Sequence, residues 1–368
     1  MLNWHPVAFG LLGVGVVLFL GSFVLPMFVK GRRSSPSSAL GVLPPDASID
    51  VIVPAYLEIS TVGAKLEDLR KAFQSYSGRT RAIVVAGDAG TASAANSADI
   101  VILAERAGKA AACNLGAEQS DADIVVFTDA NCSITPVDWP ELVRDGLNRN
   151  YDLFAGAKGE SGGLESLFWR FEDRMKSVSS GRESLALAGE FIATRRRLFE
   201  PIPTNVRLDD LAMGLSYVDR GLSVGTMADI RTVEDAEGRA DQWERRVRIA
   251  DGLLSEAVPR VGGLMRSSVG RQLVAHKIYR VTAGCAGFWL ALTALVWLQP
   301  LVGILAVAAF IYGVLGYTGR LPVSRATGLL AAGLGMQMVP MAALFRILQR
   351  LALGASSGST GVWRKIAR

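Results

Sequence analysis

Apolar and polar positions along this chain fall into three regimes. The first is an uncharged apolar run, Val7 to Val29, which at 1.5 Å per residue is long enough to cross a bilayer core. It ends in Lys30-Gly31-Arg32-Arg33, has no basic segment before it, and shows no small-residue cleavage site behind it. The run therefore predicts an uncleaved anchor, and its positive flank puts the next segment of the chain in the cytoplasm. The last regime closes the chain with three more apolar runs, Val281 to Leu298, Leu301 to Tyr317 and Ala326 to Leu344, separated by Pro300 and by Gly319-Arg320-Leu321-Pro322. One anchor plus three spans would leave the carboxyl terminus outside, yet Trp363 to Arg368 is basic. Either one run does not span fully or the charge rule bends here.

The middle regime, roughly Pro44 to Pro259, alternates two periods. Ile49 to Pro54, Ala82 to Val85, Ile100 to Leu103 and Ile124 to Phe127 are short β-branched runs, while Val62 to Tyr76 and Lys109 to Glu118 carry helical spacing. Strands alternating with helices predict an α/β domain on a mostly parallel sheet. The polar residues come directly after the strands, in Pro54 to Glu58, Gly87 to Gly90 and Asp129 to Asn131, so three strand ends converge on one rim. Ligands of open α/β sheets collect beyond the carboxyl ends of such strands. The expected organisation is an anchor at 1–33, a Ser/Pro-rich linker at 34–45, the α/β domain at 46–250, amphipathic interface helices at 251–280, three spans at 281–350 and a basic tail at 351–368.

Composition narrows the chemistry. The charge is 39 basic minus 34 acidic, or +5, half the residues are hydrophobic, and the mean hydropathy is +0.30, which fits a membrane protein and calls for no nucleic-acid partner. Two histidines exclude a His-rich metal site, and Cys113, Cys132 and Cys285 have neither metal nor disulfide spacing; they read as small buried hydrophobes. Neither GxGxxG nor GxxxxGK[ST] occurs, so a bound nucleotide would need a metal or arginines to meet its phosphates. Asp129 and Asn131 offer two oxygen donors pointing the same way after a buried strand, which suits Mg²⁺ or Mn²⁺ on a phosphate, although Asp and Asn in that place also form turns. Asp209 and Asp210 precede a helical segment, where one can cap the helix and the other remain free. Arg195-Arg196-Arg197 reads as a surface or lipid-facing patch.

Seven motifs in order carry a resemblance: Pro54 to Glu58, Asp88, Gly108 to Asn114, Phe127 to Asn131, Phe168 to Glu172, Leu208 to Asp210 and Gln242 to Arg246. Together they resemble the membrane-bound family 2 glycosyltransferases, which include bacterial synthases of cellulose, poly-N-acetylglucosamine and hyaluronan. The resemblance implies a GT-A fold, a Rossmann-like nucleotide-diphospho-sugar transferase domain. It places Pro54, Tyr56, Glu58, Asp88 and Lys109 on the base, ribose and nucleotide side of a UDP-sugar donor, and Asp129 and Asn131 on the metal-binding DxD motif. It makes Asp210 the catalytic base. It assigns Asp209, Gln242, Arg245 and Arg246, with Arg248 as further charge and Trp169 and Glu172 along a groove, to the acceptor or diphosphate. Leu57 stands where Asn is usual, Asn131 replaces an Asp, and Arg246 replaces a Trp.

The function so implied is inverting transfer of glucose or N-acetylglucosamine from the UDP-sugar to a growing polysaccharide at the inner membrane, with the catalytic domain cytoplasmic. A polyprenyl-phosphate or lipid acceptor is the alternative within that chemistry, and an inactive membrane scaffold of the same fold is the alternative outside it.

Overall fold

The computed structural model describes residues 4–29, 36, 41–160, 184–185, 187–234, 239–322 and 325–352. The chain divides into two compact units, one built on Gly31–Ala236 and the other on Met1–Lys30 with Glu237–Ala355. Trp169, Glu172 and the basic tail lie outside the described residues.

The first unit is an α/β sheet domain. Its strands are β1 (Ile49–Ala55), β2 (Thr80–Ala86), β3 (Ile100–Leu103), β4 (Ile124–Thr128), β5 (Cys132–Thr135), β6 (Leu153–Glu160), β7 (Phe191–Arg195) and β8 (Val224–Glu234), in the order β3-β2-β1-β4-β7-β6-β8-β5. β1 pairs in parallel with β2 and β4, and β2 with β3, so the four strands read from the sequence run the same way. β7 is antiparallel to both β4 and β6, and β5 is antiparallel to β8. The mixed half brings residues from both strand ends to one rim: β4, β6 and β8 end there, while β5 and β7 begin there.

Helices α2 (Val62–Phe73), α3 (Ala89–Ala94), α4 (Lys109–Glu118), α5 (Trp139–Arg149) and α6 (Asp209–Asp219) cover the sheet. On one face Ile49, Val51 and Val53 of β1 pack with Leu66, Leu69, Trp139 and Val143. The Trp139 ring meets Phe73 and Phe191 edge-on at 6.4 and 5.6 Å. On the other face α4 lies so close that a Cβ at Gly116 would stand 2.5 Å from Ile52 Cγ2. Both faces being covered explains why Val51-Ile52-Val53 of β1 and Ile124 to Phe127 of β4 are continuous apolar runs rather than alternating ones, while the buried Asp50 is paired with Arg81. Arg195 corrects the sequence reading: it is buried at the end of β7 and donates to the Gly41 and Leu147 carbonyls and to Asn148 Oδ1, so it ties chain segments together instead of facing solvent or lipid.

The second unit is helical: α1 (His5–Phe28), α7 (Arg239–Gly252), α8 (Ser268–Leu298), α9 (Pro300–Tyr317), α10 (Arg325–Gly335) and α11 (Met338–Ala352). Four stretches are long and apolar enough to cross a membrane, namely α1, α8, α9 and Ala331–Ala352. Small residues set the packing, as at the contacts of membrane helices generally. A Cβ at Gly15 of α1 would stand 2.6 Å from Ala291 N of α8, and one at Gly287 would stand 2.6 Å from Leu18 Cβ. The run read as Ala326 to Leu344 is not one helix but two, α10 and α11, with a turn at Met336-Gln337. Gly333 and Gly335 weaken the helix just before that turn.

Gly116→Val would force a branched side chain into the α4–β1 contact. We expect a loss of about 1–3 kcal/mol of stability, read as a lower thermal unfolding midpoint of the purified chain.

Candidate active site

Because β1, β2, β3 and β4 are parallel, the loops at their carboxyl ends share the rim predicted from the sequence. Pro54 is the penultimate residue of β1, paired with Val85; Ala55 closes the strand, and Tyr56, Leu57 and Glu58 come directly after it. Asp88 lies just past β2 and is the N-cap of α3, accepting from Thr91 N at 2.8 Å and from Thr91 Oγ1 at 2.7 Å. Its second oxygen also accepts from Leu57 N at 2.7 Å. Burial works to raise the Asp88 pKa, but the hydrogen bonds from Leu57 and Thr91 outweigh it and hold the carboxyl below its ordinary value. Asp88 thus staples the β1 loop to the β2 loop. Glu58 accepts from the Thr61 hydroxyl, and its own N–H donates to Thr91 Oγ1 at 3.0 Å. The Arg106 guanidinium lies 4.2 Å over the Tyr56 ring, a cation–π contact that the motifs do not reveal.

Leu57 carries the one non-glycine positive φ among the described residues, at 55°. Asn enters this left-handed region far more readily than Leu, which gives a physical sense to the Asn usual there in the resembling family. The side chain is about half exposed, so its replacement forfeits little packing.

The centre of the rim is Lys109, the first residue of α4. Its ammonium lies 2.6 Å from Asp129 Oδ1 and 3.7 Å from Asp209 Oδ2, and it donates to the Gly189 carbonyl at 2.9 Å. Burial opposes the charge on Lys109, but the field of Asp129 and then of Asp209 holds its pKa well above the ordinary value. The aspartates sit there for simple reasons of position: Asp129 lies just past β4, and Asp209 and Asp210 open α6. The N-cap of α6 is Leu208, which makes no side-chain cap, so neither aspartate fills the capping role. Asp210 Oδ1 accepts from the N–H of Leu211 at 2.7 Å, and among the described residues its Oδ2 has no hydrogen bond. A Cβ at Gly189 would stand 3.3 Å from that Oδ2, so glycine keeps the approach open. Burial, then the neighbouring charge of Asp209, raises the Asp210 pKa to about 7. Burial also raises that of Asp129, against the pull of Lys109.

Beside this cluster lies a second one that the motifs did not mark. Lys158 on β6 is buried and donates to Glu190 Oε1 and Glu234 Oε2, both at 2.7 Å. Glu234 Oε1 accepts from Asn131 Nδ2 at 3.0 Å, and the Glu190 carbonyl accepts from Asp129 N at 3.3 Å. The signal for it was a lone lysine inside the apolar strand Leu153-Phe-Ala-Gly-Ala-Lys158, since a lysine there must find carboxylates. Cys132, next to Asn131, is buried with a raised pKa and is an inert neighbour rather than a nucleophile.

A divalent metal fits this donor set without a complete cage. Asp129 presents one oxygen to Lys109, and its other oxygen has no hydrogen bond among the described residues. Because Asn131 donates its amide nitrogen to Glu234, its amide oxygen points elsewhere and is left able to act as a ligand atom. Among the described residues no three His, Cys, Asp or Glu side chains gather as a self-sufficient metal site, so phosphate oxygens would have to supply the rest. Gln242, Arg245, Arg246 and Arg248 all lie on α7, which belongs to the helical unit.

Residues 50–207 match the family model described as Glycosyl transferase family 2. That stretch contains Asp88, Lys109, Asp129 and Asn131 and ends two residues before Asp209. No curated protein sequence matches the chain. Among solved structures, the mannosyltransferase PcManGT from Pyrobaculum calidifontis, in complex with GDP-Man and Mn²⁺, is similar with a TM-score of 0.67. The two are 20% identical over 92% of this chain and 99% of that one. S. aureus TarS 1–349 in complex with UDP-GlcNAc has a TM-score of 0.41 and 14% identity over 83% of this chain and 92% of its own. Glucosyl-3-phosphoglycerate synthase from Mycobacterium tuberculosis, with Mn²⁺ and UDP, has a TM-score of 0.41 and 20% identity over 57% and 79%. The α/β unit has the GT-A fold.

Two expectations rest on this geometry. Leu57→Asn should relieve the left-handed strain and stabilise the chain by about 1 kcal/mol, seen as a higher unfolding midpoint. The Asp210 carboxyl has a folded pKa above its unfolded one, so the folded state binds a proton that the unfolded state releases between about pH 4 and about pH 7. Its contribution to stability is full below pH 4 and lost as pH rises through 7. Denaturant titrations should therefore show wild type falling relative to Asp210→Asn across that window, by on the order of 4 kcal/mol, with no further change above it.

Proposed function

Taking residues 50–207 as a family 2 glycosyl transferase domain, we propose that the chain is a membrane-anchored inverting glycosyltransferase that moves a sugar from a nucleoside-diphosphate sugar to an acceptor hydroxyl. The observation that carries this reading is the convergence of Asp129, Asp209, Asp210 and Lys109 at the carboxyl rim of the sheet. Glycosyl transfer needs a proton acceptor for the attacking hydroxyl and positive charge for the leaving diphosphate. Asp210 supplies the first. Its Oδ2 is available, its Oδ1 is anchored to the Leu211 N–H, and a pKa near 7 suits a base that works at neutral pH. Lys109 supplies part of the second and also holds Asp129 and Asp209 in register.

Asp129 and Asn131 are the residues that would hold Mg²⁺ or Mn²⁺, whose charge would neutralise the diphosphate. Glu234 fixes the Asn131 amide for that purpose, and Lys158 holds Glu234. Tyr56, with Arg106 over its ring, and the stapled loop from Pro54 to Glu58 would flank the nucleoside. The sugar attacked from the face opposite the diphosphate inverts at the anomeric carbon through an oxocarbenium-like state, as in glycosidases. Gln242, Arg245, Arg246 and Arg248, with Trp169 and Glu172, are proposed for the acceptor or diphosphate.

For the donor, UDP-glucose and UDP-N-acetylglucosamine remain the first candidates and GDP-mannose joins them, because PcManGT is a mannosyltransferase solved with that nucleotide sugar. For the acceptor, a growing polysaccharide and a polyprenyl-phosphate or other lipid-linked hydroxyl both fit the chemistry. The close backbone approach of α1 to α8 at Gly15 and Gly287, and of α8 to α9 at Gly303, leaves no lumen between these pairs and supports the lipid-linked acceptor.

Release of nucleoside diphosphate from the three donors by membrane fractions with Mg²⁺ or Mn²⁺ tests the proposal. One donor should turn over, and Asp210→Asn should lower kcat by about 10²–10⁴ with the donor KM little changed. Turnover of none of them, or an Asp210→Asn variant as fast as wild type, contradicts it. A solvent-extractable product identifies a lipid-linked acceptor, whereas a retained polymer identifies a polysaccharide.

A further inference from the structure

The fourth apolar stretch, Ala331–Ala352, does not behave as a span in the packing of the helical unit. A Cβ at Gly335, the last residue of α10, would stand 2.5 Å from Tyr317 Cβ, the last residue of α9. The two helices therefore end side by side. α10 has 11 residues, about 16 Å, roughly half of a bilayer core, so it cannot have started from the far surface. The chain then turns at Met336-Gln337 and enters α11, 15 residues or about 22 Å long.

α11 is bound along its length to α7. Val339 and Ala343 pack with Val247 and Ala250, joined by Trp243 and Tyr317. Arg346 makes a forked ion pair with Glu244 at 2.9 and 3.0 Å, and Arg350 makes one with Asp251 at 2.6 and 2.8 Å. α7, with Arg239, Asp241, Glu244, Arg245, Arg246, Arg248 and Asp251 in one 14-residue helix, is too charged for a hydrocarbon interior. A helix pinned to it at two successive turns shares its depth.

The faces of α11 divide accordingly. Val339, Ala343, Arg346 and Arg350 keep the 4-3-4 spacing of one helical face and meet α7. Met341, Leu344, Phe345, Leu348 and Leu351 lie on the opposite face, and all are exposed. Such a helix, with carboxylate-paired arginines on one side and a continuous apolar row on the other, has the build of one lying in a membrane surface.

We propose that α11 lies in the plane of the bilayer interface, its Met341–Leu351 row immersed among lipid acyl chains, on the side of the membrane where α7 begins. The described residues then cross three times, through α1, α8 and α9, and α10 and α11 both stay on the α7 side. This accounts for the basic terminus, which four crossings would leave on the wrong side. The proposal rests on the reading that α1, α8 and α9 span the membrane.

Single cysteines at Gln74, Gln299, Gln349 and Phe345 in the full-length chain test it, with the buried Cys113, Cys132 and Cys285 of the parent as the blank. A membrane-impermeant maleimide is applied to sealed vesicles of both orientations. Gln349→Cys should label severalfold faster in the orientation that labels Gln74→Cys, and Gln299→Cys in the other. A fluorophore on Phe345→Cys should be quenched more by lipid spin labels near the headgroup than by those at the chain ends. Labelling of Gln349→Cys together with Gln299→Cys, no labelling of Gln349→Cys in either orientation, or deeper quenching of Phe345→Cys overturns the proposal. If Gln299→Cys labels together with Gln74→Cys, the spanning of α8 and α9 is what has failed, and the proposal falls with it.

Discussion

The ammonium of Lys109 is the interaction around which the candidate site is organised. It touches Asp129 at the end of β4 and Asp209 at the start of α6, and it holds the Gly189 carbonyl ahead of β7. Those three segments are far apart in the chain, and the two aspartates carry like charges that would repel one another if left alone. Removing one partner of such a buried set leaves an uncompensated charge, which typically costs about 3–5 kcal/mol. The same geometry explains why Asp210 differs from its neighbour: it lies beyond direct reach of the lysine, and burial together with the charge of Asp209 keeps its proton on to about pH 7. One lysine thus separates two adjacent aspartates into an ion-paired residue and one with a raised pKa, which is what the proposed base requires.

Around that centre the sheet works as a frame. Parallel strands deliver the loops carrying Glu58, Asp88 and Asp129 to one edge, and the reversed strand β7 lets Glu190 enter the same edge from the other direction. The Lys158–Glu190–Glu234 group lies beside Asp129 and Asn131 and sets the orientation of the Asn131 amide. At the proposed metal site a neutral amide in place of a second carboxylate would cost affinity, and an amide oriented in advance would recover part of the loss.

The parallel half of this arrangement was legible because β1 to β4 are short β-branched runs between helical segments, and the loops behind them carry the polar residues. The antiparallel half was not. β6 contains Gly156, Lys158 and Gly159, β5 is only four residues long, and β8 mixes Asp229, Arg231 and Glu234 with its apolar positions, so none of them shows a clean period. Ion pairs between distant segments, such as Lys158 with Glu234, have no local signature at all. The Arg195 cluster misled for the opposite reason: three adjacent arginines look solvated until the fold buries the first of them among carbonyls. In the helical unit, mean apolarity marked Ala326 to Leu344 as one span, whereas the Gly333/Gly335 weakening and the arginines of α11 decide how it folds.

If the cluster around Lys109 binds a nucleoside-diphosphate sugar through a metal held by Asp129 and Asn131, affinity for the donor must depend on that metal. Calorimetric titration of the purified chain with UDP-glucose, UDP-N-acetylglucosamine and GDP-mannose, with and without Mn²⁺, reads this dependence directly. One of the three should bind in the presence of Mn²⁺, chelation should weaken it by at least about tenfold, and Asp129→Ala should remove the metal dependence together with the affinity. Binding that is equally tight without metal and in Asp129→Ala would contradict a metal-held donor at this rim.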